Sequence, residues 1–382
     1  MNSVSKLRNS GFGLVEIMVG IAIGLIGTLV MLQVGAVFEG QKRTTTSGAD
    51  AQTNGAIALY MLERDLRRAG YGLNVASALG CVIKRKHEDE ASTPDLILTP
   101  VTIANGSGDQ PDAIRFLASS KEGFSVPAKI TKDHPPEATN VFLNTVLGVE
   151  NQDMIVLHEP GLNCTLFQAT GIPNGTVQVH HQNSDSKWNP PSGGDIYPVG
   201  GFNIGASAIN LGAIVDRTYS LDANSNLVLA DYSSSENSIG TPQPLAADIV
   251  QLQAQYGFDT RTGVQADTRV DRWSEVMIDA DGSGGTPGDN GDLQRIYAVR
   301  LAIVARSPVK EKPQDDGTCN ITTTPPQWLN ANPNEDPADP NDDDLALVVN
   351  IHPDGTANPD WKCYRYRVFD TVIPLRNLLW RE

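Results

Sequence analysis

The feature that most constrains this chain is an almost unbroken apolar run, EIMVGIAIGLIGTLVMLQVGAVF, headed by a glutamate, Glu16. Residues 17–38 are long enough to cross a bilayer, which takes about 20 residues of helix. The rest of the 382-residue chain must then form a separate body with its own core, and its length is ample for that. Glu16 is the anomaly, because an unpaired carboxylate in hydrocarbon costs on the order of several kcal/mol. A helix that only anchors has no use for such a group. An ionisable residue at that depth asks for a partner.

Ahead of the run, MNSVSKLRNSG carries Lys6 and Arg8 and no acid. Positive charge before an apolar segment holds that end in the cytoplasm and sends the downstream chain across the membrane. A secretory signal peptide would continue into a small-residue cleavage site. Here the run continues into Glu39, Gln41, Lys42 and Arg43 instead.

Gly11-Phe12-Gly13-Leu14-Val15-Glu16 resembles the processing site of type IV prepilins and pseudopilins. In that class a short basic leader ends in glycine, and a membrane peptidase cuts after it. The new N-terminal residue, usually Phe, is N-methylated, and the fifth mature residue is Glu. Gly11, Phe12 and Glu16 occupy those positions. The resemblance implies a leader over 1–11 and a transmembrane assembly helix over 12–38. It also implies a partner for Glu16, whose carboxylate neutralises the Phe12 α-amine of a neighbouring subunit and sets axial register. Opposite charges in a low-dielectric bundle attract strongly, and each is costly unpaired. The plain alternative is that Glu16 snorkels to the interface.

Beyond the membrane, residues 39–70 read as an amphipathic continuation of the helix. Leu59, Leu62, Leu66 and Ala69 make an apolar stripe against Glu63, Arg64, Arg67 and Arg68. Gly70 stands where a C-terminal cap belongs. The poor helix formers TTTSG (44–48) and Asn54-Gly55 predict a kink or frayed stretch over 44–55.

After Gly72 the chain turns to short β-rich runs with turn punctuation: 95–103, 113–118, 154–158, 164–170, 177–181, 218–222, 226–230, 249–258, 295–306 and 362–373. In 295–306 side chains alternate, with Ile296, Ala298 and Arg300 on one side and Tyr297, Val299 and Leu301 on the other. The class is α+β: a long N-terminal helix on an antiparallel β-sheet head (73–382) with large loop insertions. LERDLRRAGYG, DMIVLHEPGLNCTLFQAT, IVQLQAQYGFDT, IYAVRLAIVARS and YRVFDTVIPLRN, in that order along the head, resemble PilW-like minor pilins. The J-type pseudopilin of type II secretion is the nearest rival, sharing the helix and a similar terminal strand.

Cys81, Cys164, Cys319 and Cys363 include no CxxC, which disfavours zinc and fits two disulfides in an exported domain. Four cysteines allow three pairings, and the spacing does not choose. The acidic stretch NEDPADPNDDD (334–344), read as a surface insert, lies between Cys319 and Cys363 and favours a bridge there. Cys81 and Cys164 remain for the other; free buried thiols are the alternative.

Asp279-Ala-Asp281-Gly-Ser283-Gly284 reproduces the first half of a calcium loop, with oxygen ligands at positions one, three and five and glycine at six. Position twelve is Asn290 where a bidentate Glu belongs, with Asp289 and Asp292 nearby as substitutes. A solvated hairpin loop is the competing reading. No cofactor other than this candidate calcium is indicated. No nucleophile, metalloprotease or nucleotide-loop motif is present, so no catalytic residue is expected. His180 and His181, on adjacent strand positions, face opposite sides, and His158-Glu159 ends a strand before a turn. A formal net charge of -16 argues against direct nucleic-acid binding.

The expected protein is a minor pilin of the fimbrium, not an enzyme. It is held first in the inner membrane, N-terminus cytoplasmic and head periplasmic, and then in the pilus fibre or tip. Its expected partners are other minor pilins, the major pilin, the prepilin peptidase/methylase and a tip adhesin. A J-type pseudopilin and a membrane-tethered calcium-binding periplasmic domain are the alternatives.

Overall fold

The computed structural model describes residues 13–88, 95–121, 126–189, 196–261, 268–314, 316–331 and 345–378. The leader, Gly11 and Phe12 lie outside the described residues, as does the acidic stretch 334–344. The chain divides into two compact units, residues 1–50 and 51–382.

One helix, Leu14–Leu66, carries the N-terminal segment. The kink or fraying expected over 44–55 does not occur, and the helix is unbroken there. The Thr45 hydroxyl donates to the Gln41 carbonyl at 2.9 Å, so this polar side chain bonds along the helix without breaking it. In the first unit, the side chains of the apolar run are exposed from Leu14 to Phe38. The helix ends at Leu66, short of the expected residue 70. Arg68 and Ala69 make tighter bonds to the carbonyls of Asp65 and Leu66. Gly70 takes a positive φ of 75°, but its N–H donates to Leu117, not back to the helix.

In the second unit, the helix residues Ala51, Ala58, Leu62 and Leu66, with Ala69 just beyond them, are buried in the main core. Leu59, expected in the stripe, is only partly buried. That core faces a four-stranded antiparallel sheet in the order Arg272–Ser274, Ile249–Phe258, Ile296–Arg306, Tyr366–Pro374. Val299, Leu301, Ile303 and Ala305 enter the helix-side core, whereas Ala302 and Val304 join a smaller core with Trp328, Leu347 and Val349. The alternation read from the sequence is thus a strand covered on both faces.

Among the described residues, the head also contains two six-stranded sheets and two short two-stranded ones. One six-stranded sheet runs Leu96–Ile97, Val82–Lys84, Cys164–Gln168, Met154–His158, Ser207–Gly212, Ala128–Lys129. Its pairing of Val82–Lys84 with Cys164–Gln168 is parallel, so the head is not wholly antiparallel. The other contains Val101–Ala104, Ala113–Ala118, Val215–Leu221 and Leu227–Ser233. The strand expected over 95–103 is split around Pro100, which has no N–H for a ladder. The expected strand 362–373 starts only at Tyr366, because Trp361–Cys363 is a 3-10 turn. Ser207–Gly212 is a strand that sequence pattern alone did not reveal.

Candidate functional site: the assembly helix and its junction with the head

At the helix start, Gly13 is the residue before the first helical position and Glu16 lies in the first turn. The Gly13 N–H donates to Glu16 Oε2 at 3.0 Å. This is the reciprocal half of a capping box, in which a third-position glutamate reaches back to the cap residue's amide. The carboxylate also sits at the positive end of the helix dipole. Glu16 therefore has a local partner within its own chain. Sequence reasoning overlooked that role, although the spacing Gly13-x-x-Glu16 signals it.

At the other end of the helix, Asp65 is buried in the second unit. It accepts from Tyr219 Oη at 2.7 Å, Arg217 Nη1 at 2.9 Å and Arg64 Nε at 2.9 Å. Burial pushes this carboxyl up, but the Tyr219 bond and the two guanidiniums prevail and hold it below the usual range. Burial and the bond to Asp65 together raise the Tyr219 phenol above its ordinary value. Asn377 Nδ2 donates to the carbonyls of Arg67 and Ala69, satisfying acceptors that the helix end leaves open. Gly55 is buried against the Phe369 ring, with no room for a methyl.

Both disulfides form: Cys81–Cys164 with Cα atoms 5.9 Å apart, and Cys319–Cys363 at 4.9 Å. His158 stands beside the first, 3.5 Å from Cys164 Sγ and 3.0 Å from Ser77 Oγ. With its sulfurs joined, that cluster offers no thiolate to a metal.

The acidic loop brings together Asp279, Asp281 and Asp292, each with a carboxylate oxygen within 4.8 Å of the others. Ser283, expected as a ligand, donates its N–H to both Asp279 and Asp281. Buried Asp292 accepts from the amides of Ala280, Asp281 and Gly288. Asp289 is the N-cap of the short helix Asn290–Leu293. Asn290 points elsewhere: its Nδ2 donates to the carbonyls of Ala76 and Leu79. Three carboxylates are the donor type a hard cation takes, and here backbone amides already offset their mutual repulsion.

A second core contains a histidine pair that sequence reasoning missed. His134 and His181 share a bond between their Nε2 atoms at 2.9 Å, and His134 stacks on Tyr197 at 5.2 Å between centroids. Burial pushes His181 down to about 3 and lowers His134. His180 and His181 do face different environments, the latter buried and the former not. The partner lies 47 residues upstream, beyond the reach of local pattern.

Residues 214–377 match the family described as Type IV Pilus-assembly protein W, and residues 6–32 match the prokaryotic N-terminal methylation motif. Among solved structures, the type IV-like pilin TTHA1219 from Thermus thermophilus is similar at 11% identity. The alignment covers 86% of this chain and 97% of that one, with a TM-score of 0.31. No curated protein matches. The methylation motif, the apolar helix and the β-rich head define a type IV pilin-like protein. Within that class the head resembles PilW-like proteins, through the match of residues 214–377 to the pilus-assembly protein W family.

Proposed function

We propose that the chain is an initiating minor pilin, cut after Gly11, methylated on Phe12 and packed into the fibre through its apolar helix. The observation that carries the reading is the Glu16–Gly13 contact at the helix start. Cutting after Gly11 would place a cationic amine one residue ahead of Gly13. Glu16 then exchanges its amide partner for the amine of a neighbouring subunit, a stronger charge-assisted bond in a low-dielectric bundle. The exchange needs no new side chain and makes register depend on one carboxylate. The head, tied to the last turns of the helix by Asp65 and Asn377, presents the surface that meets the other minor pilins, the major pilin or a tip adhesin.

Mass spectrometry of the membrane-extracted chain, with sheared-fibre fractionation of Glu16→Ala, tests this. The expected result is a chain beginning at methylated Phe12, with Glu16→Ala processed normally but absent from fibres. A chain still beginning at Met1 in cells with active peptidase, or Glu16→Ala in fibres at normal levels, overturns it. Loss of type II secretion with intact pili on deletion would move the chain to a pseudopilus.

A further inference from the structure

Cys81, Cys164 and His158 bring three metal-ligand atoms within 4.8 Å of one another. The sheet assembles them from separate strands. Met154–His158 and Cys164–Gln168 pair antiparallel with Leu157 opposite Thr165, so one step further His158 comes opposite Cys164. Opposed residues in such a pair project from the same face. The parallel pairing of Ile83 with Cys164 brings Val82–Lys84, and Cys81 just ahead of it, alongside. His158 and Cys164 are buried, whereas Cys81 is half-buried.

The imidazole is held as a metal ligand would be. Its Nε2 lies 3.0 Å from Ser77 Oγ, in the 3-10 turn Ala76–Ala78, and its Nδ1 lies 3.5 Å from Cys164 Sγ. Metal-binding histidines are characteristically fixed through the nitrogen that does not bind, which sets the tautomer and the ring orientation. A tetrahedral zinc ion, with bonds of about 2.3 Å to sulfur and about 2.0 Å to nitrogen, sets those two atoms about 3.5 Å apart. The Nδ1–Sγ spacing already has that value. What bars a metal is the bond between the sulfurs, because the thiolate is the ligand form of cysteine.

We propose that reductive opening of the Cys81–Cys164 bridge turns it into a zinc site, with the two thiolates and His158 Nδ1 as ligands. A dithiol reductant supplies the two electrons. One of its thiolates attacks Cys81 Sγ, the half-buried sulfur, and the S–S bond breaks with its electron pair leaving on Cys164 Sγ. The second thiolate of the reductant then displaces Cys81 as a thiolate, and the reductant departs as its own disulfide. Zn2+ takes both cysteine thiolates, and the two protons of the dithiol go to solvent. With the His158 proton on Nε2, facing Ser77, Nδ1 turns a lone pair to the ion. Two soft sulfurs and an imidazole select zinc over calcium or magnesium, which take oxygen. Three protein ligands leave the fourth position to water. The ion then replaces the bridge as the tie between Cys81 and the Cys164–Gln168 strand.

The test reduces the detergent-solubilised full-length chain with a phosphine and titrates it with Zn2+. The reduced chain should retain one zinc by elemental analysis. The unreduced chain, whose acidic loop is intact, should retain none. Differential alkylation with zinc bound should protect Cys81 and Cys164 and label Cys319 and Cys363. His158→Ala should abolish retention. Ser77→Ala should weaken zinc by about 10- to 100-fold, the usual cost of removing the group that orients a metal-bound imidazole. Zinc should raise the melting temperature of the reduced parent and leave that of reduced His158→Ala unchanged. Equal zinc before and after reduction, equal labelling of the two cysteine pairs, or undiminished retention in His158→Ala overturns the proposal. So does a reduced chain whose melting zinc does not raise.

Discussion

Tyr219 Oη lies 2.7 Å from a carboxylate oxygen of Asp65, joining the last turns of the helix to a strand of the head 154 residues away. Asp65 is buried, and two arginines complete its shell. The helix is therefore tied to the head by a charged, hydrogen-bonded contact set within the apolar stripe. Such a contact is directional in a way that Leu62 and Leu66 are not. A buried pair costs most when one partner is removed and the other is left behind.

Asp65→Asn should destabilise the head by about 2–3 kcal/mol, and Tyr219→Phe by about 1 kcal/mol, measured by chemical denaturation of the full chain in detergent. The Asp65 carboxyl is held below its ordinary value, so its contribution is complete above the unfolded pKa near 4 and is lost as pH falls through the lower folded value. Asp65→Asn should flatten the stability curve in that acid window. An unchanged curve would mean that the carboxylate does not anchor the helix.

Gly55→Ala should destabilise despite alanine's better helix propensity, worth about 1 kcal/mol. The added methyl overlaps the Phe369 ring on the sheet, and overpacking of this kind costs about 1–3 kcal/mol. Combining it with Phe369→Leu should recover part of the loss. Equal melting temperatures for Gly55→Ala and the parent would contradict this packing.

Between pH 6.5 and 4 the head should lose stability through its buried histidines. His181 and His158 are pushed by burial to about 3 and about 4, so both stay neutral when folded but take up protons when unfolded. Their contribution is complete above the unfolded value near 6.5 and is lost as pH falls toward the folded values. For His181 that is roughly 3 kcal/mol by pH 4. Asp112, pushed up to about 6 by burial, has the opposite sign and offsets part of the loss. His181→Phe should show a shallower decline in pH-dependent melting, and a parallel curve would refute the assignment.

Closing the 44- and 83-residue separations of Cys319–Cys363 and Cys81–Cys164 should stabilise the head by about 4 kcal/mol each in the chain-entropy model. The Cys81→Ser/Cys164→Ser variant should also expose Val82–Lys84, whose parallel pairing lies against the bridge. Hydrogen exchange at Ile83 should rise there and not in the Cys319→Ser/Cys363→Ser variant.

Asp292→Asn tests the acidic loop. It weakens acceptors for three backbone amides, so it should cost about 1–3 kcal/mol. A purely structural carboxylate gives the same loss with and without a calcium chelator. A loss that appears only without chelator would make Asp279, Asp281 and Asp292 a calcium site.

Much of the architecture was legible because it is local. The apolar run, the Gly11-Phe12 and Glu16 spacing, and strands such as 113–118, 154–158 and 249–258 are patterns of neighbouring residues. Their periods come from backbone geometry, so the sequence by itself determined the helix, the strand-rich head and the alternation that puts Arg300 on one face. Local reasoning failed where propensity met a larger structure, as in the helix through 44–55 and the split at Pro100. It could not foresee contacts across long separations. Tertiary structure alone decided that Asp65 meets Tyr219, that His134 meets His181, and that Arg300 lies between Trp273 and Trp328. Each of these depends on which surfaces are brought together and dried, and burial, not residue type, sets what a charge or an imidazole costs there.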